Sequence, residues 1–248
     1  MPWVQPSSLE ERFKRSIIPP RWELARITRR ELKRGEPELR LVSFLARRDR
    51  ISLDIGANRG IWTHVLARYS SEVIAFEPSP KLFPILEAAR PANARALRLA
   101  LSDRDGTGDL EVPRLRAGWS NQHASLNPRR NSGREVRTVE VEMRRLDSLD
   151  VGPVGFIKID VEGHEKEVLA GAGKLIARDR PRMVIELEER HTGRPLADAV
   201  AEIEALGYDA FFLRNGTLTR FAELDVQAEH TSAADMPYYV NNFIFLPR

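Results

Sequence analysis

Ile51-Ser-Leu-Asp-Ile-Gly-Ala-Asn-Arg-Gly60 decides the fold. Ile51, Leu53 and Ile55 are apolar and β-prone, so the stretch opens as a buried strand. Gly56 and Gly60 bracket a tight turn where a ligand can approach the backbone without meeting a Cβ. Ile61-Trp-Thr-His-Val-Leu-Ala-Arg-Tyr69 continues as a helix with Ile61, Val65 and Leu66 on one face. A strand, glycine turn and helix leave free backbone N–H groups at the helix start, which suits a carboxylate or phosphate. The spacing is Asp-x-Gly-x-x-x-Gly, which departs from the Gly-x-Gly-x-x-Gly of dinucleotide sites. Glu72-Val-Ile-Ala-Phe-Glu77 is a second apolar run and ends in a carboxylate before Pro78. An acid at the end of the second strand is where doubly wound folds grip a ribose through its two hydroxyls. In this order the two signals point to nucleoside binding.

Outward from this pair the chain alternates. Ala96-Leu-Arg-Leu-Ala-Leu101 reads as strand three, ending at Ser102-Asp103. The βαβαβ pattern argues for a parallel sheet. Residues 104–146 break the alternation. Arg137-Thr-Val-Glu-Val-Glu-Met-Arg144 alternates as a half-exposed strand, so the segment reads as an antiparallel excursion with a long loop at 113–135. Trp119, Asn121 and His123 are unusual choices for a plain linker. Phe156-Ile-Lys-Ile-Asp160 is strand four and Arg182-Met-Val-Ile-Glu-Leu187 strand five. Tyr208–Arg214, Asn215-Gly216 and Thr217–Phe221 read as a hairpin, and Val240–Leu246 as the closing strand. Upstream, residues 1–20 read as loosely ordered. A basic helix over Arg21–Lys33 has Trp22, Leu24, Ile27 and Leu32 as its expected apolar contacts, and Gly35 stops it. A second helix starts at Glu36-Pro37. These define an N-terminal helical cap, 1–48, ahead of a main domain, 49–248.

The 248 residues suit one α/β domain with elaborations, and 42% hydrophobic content is ample for a core. Cysteine is absent, which excludes disulfides, thiolate metal sites and a cysteine nucleophile. No signal peptide or membrane span is expected, so the reading is cytoplasmic. Residues 1–50 hold 13 Lys/Arg against 7 Asp/Glu, although the whole chain carries only +3. That asymmetry fits either a solvated helix face or contact with an anionic substrate or membrane surface. No nucleic-acid-binding signature is visible, and no oligomeric state is implied.

Leu53-Asp-Ile-Gly-Ala-Asn-Arg-Gly60, Ala75-Phe-Glu-Pro-Ser79, Ala100-Leu-Ser-Asp103 and Phe156-Ile-Lys-Ile-Asp-Val-Glu-Gly-His-Glu165 together resemble the FkbM type of class I S-adenosylmethionine-dependent methyltransferase. The likeness covers roughly residues 36–190. It implies a doubly wound, mostly parallel, seven-stranded Rossmann-like sheet whose last strand is antiparallel, with S-adenosylmethionine across the C-terminal strand ends. Gly56 and Gly60 would admit the methionine portion, and Asp54 would organise the turn. Ala57, Asn58 and Pro78 belong to the same cofactor-binding set. Glu77 would take both ribose hydroxyls, Ser102 and Asp103 would flank the adenine, and Asp160 would sit beside the donor amine or the acceptor. The implied reaction is O-methyl transfer to a hydroxyl of a sugar, glycan or secondary metabolite.

The sulfonium donor is already activated, so the enzyme must align the acceptor and remove its proton. Asp160, Glu162, His164 and Glu186 are the catalytic candidates at this edge. Their plainer readings are structural: a strand-end acid for Asp160, an acid favouring the helix dipole for Glu162, a solvated first-turn residue for His164. Glu188 and His191 read as a surface turn. Lys158 is an unusual charge inside a strand and would snorkel or pair with an acid such as Glu186. No compact metal motif such as His-Glu-x-x-His appears, so no metal site is assigned. The competing readings are a non-catalytic nucleoside-binding scaffold and a nicotinamide-dependent dehydrogenase, the latter lacking its glycine turn. The 113–135 loop and segment 222–239 are the expected lids.

Overall fold

A computed structural model describes residues 3–5, 17–116, 118–233, 236 and 239–248; most of the stretch read above as loosely ordered lies outside them. The strands, in chain order, are β1 (Ile51–Ile55), β2 (Glu72–Phe76), β3 (Ala94–Leu97), β4 (Ala100–Leu101), β5 (Gly106–Leu115), β6 (Gly118–Trp119), β7 (Val136–Arg144), β8 (Val154–Ile159), β9 (Arg182–Glu186), β10 (Tyr208–Arg214), β11 (Thr217–Arg220) and β12 (Asn242–Pro247). The main sheet has eight strands in the order β11-β10-β12-β9-β8-β1-β2-β3. β9, β8, β1, β2 and β3 run parallel. β12 is inserted antiparallel between β9 and β10. The expected seven strands become eight because β11 folds back on β10 and is counted into the edge.

β8 is buried along its whole length, Lys158 included, because both faces of this central strand are covered. One face packs Leu53, Ile157, Ile159 and Met183 against the helices that follow β8 and β9. The other packs Phe156, Val184 and Ile244 against Leu39, Val42, Leu45 and Trp62. Fully burying each such aliphatic side chain is worth about 1.5–3 kcal/mol.

α1 (Pro20–Arg34) starts with proline in its first turn and ends at Gly35. Arg40 donates from Nε to the Leu32 carbonyl at 2.8 Å and from Nη2 to Lys33 at 3.2 Å, satisfying carbonyls that a helix end leaves free. A 3₁₀ turn (Pro37–Leu41) and the short α2 (Val42–Leu45) follow, with Leu39, Val42 and Leu45 buried as their spacing predicts. α1 packs on α3 (Ile61–Leu66) and α4 (Phe83–Ala89) through Leu24 and Thr28. Trp22 is not one of its apolar contacts; it is 75% exposed. Two residues from Leu24, it lies about 200° round the helix.

Strand three of the sequence reading is two strands. β3 stays in the main sheet, and after Arg98-Leu99 the chain peels away so that Ala100 and Leu101 pair with Met143 and Arg144 of β7. This begins a second sheet, β4-β7-β5-β6. β5 and β7 run antiparallel from Gly106↔Met143 to Pro113↔Val136, with Val139, Val141 and Met143 turned onto a small separate core. This is the antiparallel excursion that the alternation in 137–144 calls for.

Candidate functional site

The order of the strands reverses beside β1: β2 and β3 lie on one side, β8 and β9 on the other. Crevices at such a switch point are where open α/β sheets bind ligands. A cavity of about 320 Å³ opens there, lined from β1 and β2 by Ile55, Gly56, Asn58, Phe76, Glu77 and Pro78. Leu99–Leu101 and residues 121–124 form another wall, and Asp160–Glu162, His164 and Glu186 the last.

The glycine turn is fixed by close approach. Gly56 has φ +81°, and a Cβ there would stand 1.8 Å from the carbonyl oxygen of Asp160, so no other residue fits between the ends of β1 and β8. The N–H groups of Gly56 and Ala57 both donate to the Phe76 carbonyl at 3.0 Å, tying β1 to β2. Asn58 takes the left-handed conformation at φ 52°, which asparagine tolerates better than most residues. Its N–H donates to Glu77 Oε2 and that of Ser79 to Glu77 Oε1, each at 2.8 Å. Glu77 is thereby presented to the cavity by backbone alone. Burial raises its carboxyl to about 7, against those two hydrogen bonds. Asp54 lies behind the turn, accepts from Thr63 Oγ1 and is raised by burial to about 6.

The other wall is held by side chains. Lys158, only 1% exposed, donates to Asn242 Oδ1 at 2.8 Å and lies 3.7 Å from Asp160 Oδ2 and 3.9 Å from Glu36 Oε2. Its Nζ also stands 5.3 Å from the Trp62 ring centre. Burial works against that charge, but Asp160, Glu36 and Glu186 outweigh it and raise the ammonium above its ordinary value. Burial likewise opposes ionisation of Asp160, yet Lys158 and a hydrogen bond with Glu186 hold its carboxyl below the usual range. Glu186 goes the other way: burial, the neighbouring Asp160 charge and the shared hydrogen bond push it well up. The two carboxyls therefore titrate as a pair, with Asp160 held down and Glu186 pushed up. Asn241 Nδ2 donates to Glu186 Oε1.

Glu162 and Gly163 both have positive φ, 56° and 99°. This tight turn is pinned from outside. Ser125 Oγ donates to the Glu162 carbonyl at 2.7 Å, Asn127 Nδ2 to that of Gly163 at 2.9 Å, and Arg130 Nε to Glu162 Oε2 at 3.0 Å. The Gly163 N–H donates to Glu165 Oε1, which makes Glu165 a helix-start acid for α5 (Glu165–Ala170).

The four catalytic candidates Asp160, Glu162, His164 and Glu186 all line the cavity. Of the cofactor candidates, Gly56, Asn58, Glu77, Pro78 and Asp160 line it, whereas Asp54, Ala57 and Gly60 build the turn behind it. Ser102 and Asp103 are not on its wall. Leaving β4, the chain buries Ser102, whose hydroxyl shares a 2.9 Å hydrogen bond with His164 Nε2. Asp103 turns to solvent, 43% exposed and 3.4 Å from Arg104. Leu99–Leu101 take the wall position expected of that pair.

Glu188 and His191 are not a surface turn: both are buried. His191 Nδ1 lies 3.6 Å from Glu162 Oε2. Its Nε2 lies 3.1 Å from Glu188 Oε2 but out of line for a hydrogen bond. Burial lowers this imidazole to about 4. The local sequence carries no sign of that burial, since what covers the pair comes from residues 127–130 at His191 and Tyr239 at Glu188. Residues 113–135 are likewise no free flap. β6, two 3₁₀ turns and the bonds from Ser125, Asn127 and Arg130 stitch them to 162–163 and 191. Segment 222–239 lies partly outside the described residues; within it His230 is buried and pairs with the Val240 carbonyl.

A doubly wound sheet with a glycine turn and a strand-end acid at its switch point, and an antiparallel strand next to β9, defines a Rossmann-like α/β protein of the class I methyltransferase type. The family model for the methyltransferase FkbM domain matches residues 54–210, and the chain belongs to that family. It is 30% identical over 149 residues to the hexuronic acid methyltransferase AglP of Haloferax volcanii. That match takes in 57% of this chain and 58% of the relative's length. Two solved structures are similar. A methyltransferase FkbM from Methylobacillus flagellatus has TM-score 0.49 and 16% identity, over 94% of this chain and 60% of that one. A TehB-like SAM-dependent methyltransferase from Corynebacterium glutamicum has TM-score 0.48 and 15% identity, over 92% and 97%.

Proposed function

We propose that this chain is an S-adenosylmethionine-dependent O-methyltransferase whose acceptor is a sugar-like hydroxyl, in a glycan or a secondary metabolite. The observation that carries the reading is that Gly56, Glu77 and Asp160 converge on one cavity at the switch point. The fit to the donor rests on that cavity's chemistry. The backbone cradle at Gly56 is one a Cβ would destroy, and the carboxylates Glu77, Asp160 and Glu162 favour a cationic guest. Glu77 keeps lone pairs free for two ribose hydroxyls, because each oxygen accepts only one backbone N–H. The donor supplies an activated methyl on a sulfonium. The sugar reading is supported by the family and by the relative that methylates a hexuronic acid.

Within this reading Asp160 is the group that takes the acceptor proton. It lines the cavity and is fixed there by Lys158 and by its hydrogen bond with Glu186. Such assistance is typically worth about 10²–10⁴-fold in rate. Glu162, gripped by Arg130, orients the acceptor.

Two measurements test the proposal. Calorimetry should find donor binding that Glu77→Ala weakens about 100-fold, as for two lost hydrogen bonds to a charged group; an unchanged affinity removes Glu77 from the ribose. Mass spectrometry with isotope-labelled donor and a panel of neutral and acidic sugars should find one oxygen-methylated product. No transfer across the panel by folded, donor-binding protein would argue for the scaffold reading instead.

A further inference from the structure

We propose that the outward face of α1 docks this protein on a bilayer carrying anionic lipids. Leu24 and Thr28 face the core, so the opposite side of the helix is presented outward. Along it run Trp22, Arg26, Arg29 and Lys33, spaced i, i+4, i+7, i+11, which is one straight stripe about 16 Å long. All four are exposed. Among the described residues no carboxylate pairs with the three cations; neighbouring Arg30 is paired instead, with Glu31 at 3.2 Å. Ile17, just ahead of the helix, is a second exposed apolar side chain, at 61%. Three of the cations of residues 1–50 thus form one row on the outward face of α1.

The observations favour a bilayer over a nucleic acid. The stripe is the convex back of a helix, with no groove to track a phosphate backbone and no aromatic platform beside a channel. A single indole at one end of a row of cations is the arrangement that sits at the headgroup level, with the cations over anionic lipid. Beyond its end the chain reaches the buried cation behind Asp160. Three residues beyond Lys33, Glu36 Oε2 accepts from Trp62 Nε1 at 3.0 Å and lies near Lys158, on the same sheet edge as Asp160.

Each basic side chain near an anionic bilayer contributes roughly fivefold to partitioning. The test is co-sedimentation of the full chain with vesicles of phosphatidylcholine alone, or with one third phosphatidylglycerol. Binding is expected only to the anionic vesicles, weakening from 0.15 to 0.5 M salt as screening grows. Arg26→Gln/Arg29→Gln/Lys33→Gln should lower partitioning about 100-fold. Neutralising Arg95, Arg104 and Arg248, three exposed arginines elsewhere, should change it less than threefold. Trp22→Ser should abolish the blue shift of tryptophan fluorescence on binding. Equal binding to neutral vesicles overturns the proposal. So does anionic-vesicle binding that the α1 triple variant leaves intact, or a triple-variant defect seen with duplex DNA and not with vesicles. Circular dichroism confirms that each variant is folded.

Discussion

The two halves of the sheet's carboxyl edge hold their acids in opposite ways. At the ends of β1 and β2, Glu77 is held by the N–H groups of Asn58 and Ser79, within 19 residues of itself in sequence. At the ends of β8 and β9, Asp160 and Glu186 are held by side chains: Lys158, itself tied to Asn242 84 residues away, and Asn241. A backbone grip depends on turn geometry, which a short motif encodes. A side-chain grip depends on which distant residues the fold brings up. Both halves are desolvated, but only the second is balanced around one buried cation.

Substitutions can break or sharpen this contrast. Gly56→Ala should have the largest effect. Its Cβ meets the Asp160 backbone, and its φ is forbidding, so a stability loss on the order of 4 kcal/mol or more is expected in urea denaturation, with donor binding abolished. A mild effect would mean that the two halves are less tightly joined than the contact implies. Lys158→Met should come next, at about 3 kcal/mol, by leaving Asp160 without its cation. Adding Asp160→Asn should restore part of that loss; if the double variant is no better than the single, the balance around Lys158 is not electrostatic.

A smaller effect is the response to pH. Asp54 at about 6 and Glu77 and Glu162 at about 7 sit above their unfolded values near 4. Between roughly pH 4.5 and 7 the folded chain therefore binds more protons than the unfolded chain, and stability falls as pH rises through that window. The Tm of the unliganded protein should be a few degrees higher at pH 5 than at pH 8. A flat or opposite profile would show that these acids are better solvated than their burial implies. The smallest effect is expected from Asp103→Ala, under threefold in donor affinity, because its carboxylate faces solvent. A large loss there would return Asp103 to the adenine contact that the family likeness suggests.

Much of this was legible residue by residue. Ile51–Gly60 gave a strand, a turn with two left-handed glycines and a helix start, because each depends on a few adjacent side chains. The alternation over 137–144 marks a half-exposed strand in an antiparallel excursion, as found; that the excursion forms a sheet of its own is not in the pattern. The errors share a cause. Trp22 is apolar, but the helix phase set by Leu24 and Thr28 turns it to solvent. Ala96–Leu101 looked like one strand because nothing local shows that β7 captures its last two residues. Glu188 and His191 looked solvated because their cover comes from other segments.

By itself the sequence determined the alternating α/β order, the glycine turn at 56–60 and the acids at 77, 160 and 186, since periodicity, backbone freedom and strand ends are local properties. Only the tertiary structure decided how Asp160 and Glu186 are pushed apart in acidity, what neutralises Lys158, how 125–130 lock the turn at 162–163, and which face of α1 meets solvent. Those outcomes depend on distance and desolvation between residues far apart in the chain, and neither exists until the chain is folded.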